Sequence, residues 1–186
     1  MLKTITAAVV LLTAVLPLGA SSYYPSRPDD AKAIYLTREQ FSFRRDGIAD
    51  DTNSIQQAIN RVQQAQGQGI VFVPSGRYRL TKTIYIWPGI RVIGYGSTRP
   101  AFVLGPNTTG FQKGPAYMVF FAGGRPRYTR KFHQRPTSHD ENVPEDASPG
   151  TFYSALTNVD FEIQDGNPGT VGVRAHLCPA LLFGAH

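Results

Sequence analysis

Cysteine is almost missing from these 186 residues: Cys178 stands alone, so no internal disulfide can form and packing must supply the stability. A buried, inert thiol is the simpler reading of that residue. Beyond the first two dozen positions no run is apolar enough to cross a membrane as a helix. Acids are scarce, 13 Asp and Glu against 19 Lys and Arg, leaving a net charge of +6. That excess favours an acidic partner, such as a uronic-acid polymer. Much of it is local, however: "GRPRYTRKFHQRP" carries Arg125, Arg127, Arg130, Lys131 and Arg135. No nucleic-acid-binding motif accompanies the charge, so nucleic acid is not expected as a partner.

What is present begins with "MLKTITAAVVLLTAVLPLGASSYYP". One Lys precedes an apolar run, and small residues follow it, which is the layout of a secretory signal. The run of about 15 residues falls short of the roughly 20 that span a bilayer. Residues 1–22 are therefore expected to be a signal peptide, and 23–186 one secreted domain with no membrane anchor after cleavage. Residues 123–150, Pro-rich with segregated charges, read as a solvated flexible loop. His133, His139, Asp140 and Glu141 fall in that loop, a poor place for a preformed site. No metal or other cofactor is expected.

The clearest helix spans about 53–66. Ile55, Ala58, Ile59, Val62 and Ala65 recur at three- and four-residue spacing on one face, with Gln56, Gln57, Asn60, Arg61, Gln63 and Gln64 on the other. "GQG" at 67–69 stops it. From Ile70 onward short β-rich runs follow, "IVFV", "YRL", "TIYIW", "IRVIG" and "AFVLG", then "TFYSALTNVDFEI" and "TVGVRAH", separated by Gly, Pro and Asn turns. This pattern predicts an all-β body behind one helix; sandwich, barrel and solenoid all satisfy it.

The motifs "DGIADDTNSIQQAI", "GIVFVPSGRYRL", "TIYIWPGIRVIGYG" and "VLGPN", in that order, resemble the pectate-lyase-like domain of the rhamnogalacturonase/epimerase type, related to glycoside hydrolase family 28. The matching positions are Asp46, Gly47, Asp50, Asp51, Thr52, Gln56, Ala58 and Ile59, then Val71, Phe72, Pro74, Gly76 and Tyr78. The resemblance implies a right-handed single-stranded parallel β-helix of the pectin-lyase type, its N-terminal end capped by the helix. It further implies a polysaccharide hydrolase (glycosidase) acting on pectin-like or glucan polymers. A polysaccharide lyase and a non-catalytic binding module or inactive fragment are the alternatives. Against the family's usual length the chain reads as shortened and the β-helix as incomplete, with catalytic residues expected in coils further along.

Two candidate chemistries stand out among the residues. Asp50 and Asp51 sit at a helix start, where carboxylates accept orphan N–H groups, and adjacent side chains there diverge, so they are expected to begin the helix rather than form a dyad. In "NVDFEIQD" the apolar Val159, Phe161 and Ile163 alternate with Asp160 and Glu162, placing both acids on one outward face about 6.6 Å apart along the strand. They are the expected catalytic pair, although an ordinary solvated strand face gives the same pattern. Arg174 and His176 alternate outward in the last strand, and Tyr85 and Trp87 lie opposite Ile84 and Ile86. All four are candidate contacts to a polysaccharide substrate.

Overall fold

The computed structural model describes residues 21–125, 144, 146–147 and 152–175. Their elements run in the order β1 (Ile34–Tyr35), β2 (Asp46–Asp50), α1 (Thr52–Gln66), β3 (Gly69–Pro74), β4 (Arg77–Leu80), β5 (Ile84–Ile86), β6 (Ile90–Tyr95), β7 (Ala101–Leu104), β8 (Ala116–Phe121), β9 (Ala155–Thr157), β10 (Asp160–Ile163) and β11 (Thr170–Arg174). They pair, always in parallel, into three sheets: β1-β3-β6-β9, β2-β4-β7-β10 and β5-β8-β11. The chain visits the sheets in rotation, so each circuit after the first adds one strand to each, stacked about 4.8 Å above the last. Parallel sheets fed in this order make a β-helix arrangement with little helix. The signal-peptide expectation, and most of the charged loop at 123–150, fall outside the described residues.

Parallel stacking places like residue on like. Ile34, Val71, Val92 and Leu156 align in the first sheet, Tyr78, Phe102 and Phe161 in the second, and Ile84, Val119 and Val173 in the third. The aromatic stack meets edge to face, with ring centroids 6.3 Å apart for Tyr78–Phe102 and 6.0 Å for Phe102–Phe161. Burial thins along the axis: Leu80 and Leu104 are fully buried, whereas Ile163 in the same file is 46% exposed. Turns are fastened coil to coil by buried amides. Asn167 donates to the carbonyls of Gly105 and Gln164, both at 2.8 Å, and accepts from the Thr108 N–H. At Gly94 the next coil comes so close that any Cβ would meet the Asn158 carbonyl oxygen.

Two strands escaped the sequence reading. Asp46-Gly47 reads as a turn, and it is one locally: Asp46 accepts the N–H groups of Ile48 and Ala49, at 2.8 and 2.9 Å, inside an irregular β2. β8, "AYMVFF", is an almost unbroken apolar run beside the charged stretch, without the alternation that marked the others.

α1 buries Ile55, Ala58, Ile59 and Val62 against β1, β3, β4, β5 and β6. Ala65, expected on the same stripe, is exposed, because the stripe ends one turn early. The helix stops at Gly67, which adopts φ 71° and donates its N–H to Gln63. Its polar side is not simply solvated. In the first circuit α1 occupies the step at which later circuits supply a strand to the third sheet. There Gln56 completes the ladder: its Oε1 accepts the Tyr85 N–H at 2.8 Å, and its Nε2 donates to the Tyr85 carbonyl at 3.1 Å. Asn60 beside it accepts the Trp87 indole N–H at 2.7 Å.

Replacing Gln56 by Ala leaves both polar groups of a half-buried peptide unit unanswered, with an expected loss of about 2 kcal/mol in urea unfolding. Gln56→Glu keeps the acceptor and loses the donor, and should fall between the two.

Candidate functional site

The outer face of the second sheet gathers the charged residues of three circuits. β10 presents Asp160 and Glu162, half-exposed, while Phe161 turns inward to the aromatic stack. The alternation therefore places the acids on one face, as the pattern requires. Neither is free. Arg77 donates end-on to Glu162, with Nη1 to Oε2 at 2.6 Å and Nη2 to Oε1 at 2.7 Å, and Gln164 donates to the same carboxylate at 2.9 Å. Asp160 has a looser partner, Arg99 Nη1, at 3.5 Å.

Arg77 lies on β4, aligned through Ala101 of β7 with Asp160, so its bridge to Glu162 crosses β7 diagonally. The Arg77 hydrogen bond, helped by Gln164, holds the Glu162 carboxyl below the usual carboxylate range. Glu162 is therefore an ionised group, suited to accept a proton and unsuited to donate one. The sequence reading did not find these arginines. Arg77 and Arg79 alternate outward around Tyr78, a signal that acquires meaning only once β4 and β10 share a sheet.

The remaining candidates lie elsewhere. Tyr85 and Arg174 belong to the third sheet, aligned through Phe120 of β8, and so are separate from the acids. Tyr85 is half-buried, stacked on Trp87 with centroids 5.7 Å apart and edge-on to Phe120. Trp87 is buried at 4% exposure with its indole N–H held by Asn60, so it offers no ring face to a ligand here. Arg174 binds Asp146, with Nε at 2.8 Å and Nη2 at 2.5 Å, and Tyr117 Oη at 2.9 Å. His176 lies outside the described residues. Among the described residues no group of three or more His, Cys, Asp or Glu could hold a metal ion.

Asp50 and Asp51 divide their tasks differently from the expectation. Asp50 Oδ1 takes the Thr52 N–H at 3.0 Å and the Thr52 hydroxyl, while Oδ2 takes the Thr81 hydroxyl at 2.7 Å. Asp51 occupies the N-cap position but makes no side-chain cap bond. Its carboxylate turns back to accept the N–H groups of Arg44 and Arg45, each at 2.8 Å, across a turn in which Arg45 holds φ 51°. Burial pushes the Asp51 carboxyl up, against the pull of those two bonds.

Against this geometry, the sequence matches the family described as rhamnogalacturonase A/epimerase, pectate lyase-like, over residues 39–180. A glucan 1,3-beta-glucosidase of Cochliobolus carbonum is 41% identical over 49 residues, which make up 26% of this chain and 6% of that protein. Among solved structures, ORF18 of Geobacillus virus E2 aligns with 76% of this chain and 22% of its own, at 24% identity and a TM-score of 0.46. PfbA, a surface adhesin of Streptococcus pneumoniae, aligns with 50% of this chain and 23% of its own, at 21% identity and a TM-score of 0.33. The chain spans a small fraction of the length of each of these relatives.

Two substitutions test the charged groups. Asp51→Asn supplies one acceptor where two N–H groups need one each, and is expected to destabilise by about 2 kcal/mol in urea unfolding. Arg77→Ala should return the Glu162 carboxyl toward its ordinary value of 4.5, read by NMR titration. Because the folded value is depressed, the pair's stabilisation is present above that ordinary value and is lost as pH falls below it. Exposure limits it to less than about 1 kcal/mol.

Proposed function

The chain belongs to the rhamnogalacturonase A/epimerase, pectate lyase-like family, and from that premise we propose a secreted carbohydrate-active protein, a polysaccharide hydrolase acting on pectin-like or glucan polymers. The family match across residues 39–180 carries the reading. Secretion is supported by the apolar run that opens the sequence. A right-handed coil with α1 as its N-terminal cap accords with the family. It also accords with the physical need to cover the first circuit, since α1 buries its apolar face on that circuit's strands.

Asp160 and Glu162 are the proposed acid and base. Two strand steps separate them by roughly 6.6 Å, at the lower edge of the range of about 6.5–9.5 Å in which an inverting glycosidase seats water. Glu162, held ionised by Arg77, is the base that takes a proton from that water. Asp160, held more loosely by Arg99 at 3.5 Å, is left as the acid toward the leaving oxygen, a role it fills only in its protonated form. Tyr85, Arg174 and His176 are then accessory contacts at most, since the first two stand on a different sheet.

The bidentate Arg77–Glu162 bridge favours a second reading, a non-catalytic polysaccharide-binding module in which the pair is structural. Incubation with polygalacturonate and β-glucans separates the two. Reducing ends without an unsaturated product support the hydrolase, and ultraviolet absorbance of an unsaturated product indicates a lyase. Binding without turnover supports the module. For the hydrolase, Glu162→Gln and Asp160→Asn should each lower kcat/KM by about 10²–10⁴-fold. Unchanged turnover would remove both residues from the chemistry.

A further inference from the structure

A second feature, remote from the acids, has the makings of a ligand site. A groove of ≈ 590 Å³ runs along the edge of the first sheet, where α1 ends and β3 and β6 begin. Lys32, Gln66, Gln68, Arg91 and Tyr153 line it with Asp30. None of these belongs to the sheet of Asp160 and Glu162. Lys32 precedes β1, Arg91 lies on β6 and Tyr153 precedes β9, so the groove crosses successive circuits along the axis. Three steps of about 4.8 Å span roughly 14 Å, the reach of a short run of sugar rings.

Its chemistry is specific. The cationic heads of Lys32 and Arg91 are exposed and make no hydrogen bond or ion pair within the described residues. The one acid, Asp30, directs a carboxylate oxygen to the Lys32 N–H at 2.9 Å. Gln66 donates to the Lys32 carbonyl at 3.1 Å, tying the helix end to this wall. Tyr153 is 79% exposed and adopts φ 60°, a left-handed conformation that costs a non-glycine residue about 1–2 kcal/mol. Its neighbours fix it there. Gly89 donates its N–H to the Phe152 carbonyl and to Ser154 Oγ, both at 3.1 Å, and the buried Ser154 hydroxyl reaches the Trp87 carbonyl. Gly89 itself holds φ 76° at that turn. A strained backbone therefore presents an aromatic face to solvent beside two cations that make no ion pair among the described residues, with Asp30 the one acid in the lining.

We infer that this groove binds a carboxylated saccharide chain, with Tyr153 stacking on a ring and Lys32 and Arg91 meeting carboxylates, apart from Asp160 and Glu162. The inference rests on the reading that the protein engages polysaccharide; it adds where and with what charge. An aromatic face accepts the apolar side of a sugar ring, and cations select an acidic chain over a neutral one.

The test is calorimetric titration of the full chain with oligogalacturonate and, separately, with a neutral β-glucan oligosaccharide, at low and high salt. Oligogalacturonate should bind, more weakly as salt rises. Lys32→Ala with Arg91→Ala should weaken it about tenfold or more, and Tyr153→Ala about tenfold. All three side chains are exposed, so unfolding midpoints should not fall, and a Tyr153→Phe variant should bind as the wild type does. Wild-type affinity in the double variant, equal binding of the neutral oligosaccharide, or no binding of oligogalacturonate would each overturn the inference. Glu162→Gln keeps the two readings apart. Intact binding with lost turnover leaves the groove standing, whereas glucan turnover without oligogalacturonate binding overturns the groove alone.

Discussion

Every strand in a stack of parallel coils needs a neighbour on each side to answer its N–H and C=O groups. Between coils this happens automatically. At the first circuit of the third sheet it does not, because a helix stands where a strand would be. The Gln56 amide takes that place, one acceptor and one donor set against the N–H and carbonyl of Tyr85. A primary amide is a side-chain copy of a peptide group, and it lets a helix meet a sheet edge without leaving polar atoms stranded. Asn60 extends the contact by one helical turn to Trp87.

The inside of the coil is settled by alignment, so the outside is free to vary. Most inward positions stack by type, aliphatic on aliphatic and aromatic on aromatic, with Ile86 beneath Phe121 an exception. Outward positions answer to charge instead. On the second sheet the result is a face where carboxylates and guanidinium groups are paired, Arg77 with Glu162 and Arg99 with Asp160. On the first sheet the groove differs: Lys32 and Arg91 make no ion pair among the described residues, and they line it with one acid, Asp30, and the exposed Tyr153. The two faces therefore differ in kind: on the second sheet the Arg77 hydrogen bonds hold Glu162 ionised, whereas on the first the cationic heads face solvent.

Much of the architecture could be read from residue order. The Ile55–Val62 stripe, the Gly67 stop and most strands follow from local period and turn chemistry, and the family resemblance supplied the parallel stacking that period alone leaves open. What could not be read depended on partners distant in sequence. Gln56 and Asn60 look like solvent-facing helix residues until β5 is placed against them. Arg77 and Glu162 become neighbours only through the register of β4, β7 and β10. Trp87 looked outward by alternation, yet the helix covers it. Asp51 occupies a capping position while its carboxylate serves the preceding turn. β2 and β8 were missed for local reasons, a turn inside a strand and an apolar run without alternation.

The coils are not joined by equal lengths of chain. From Tyr78 to Phe102 the polypeptide makes one quick circuit, while the next step, from Phe102 to Phe161, includes the whole segment between β8 and β9. Loop entropy rises by about 0.6 kcal/mol for each doubling of length, and here the closing loop more than doubles. The same circuit has the thinnest interior, with Ile163 and Val171 46% and 40% exposed. Assembly should therefore proceed as a zipper that starts at the helix, runs quickly through the circuits up to β8, and pauses before β9 to β11 dock. In hydrogen exchange the order should reverse, with the amides of β10 and β11 opening well before those of β3 and β6.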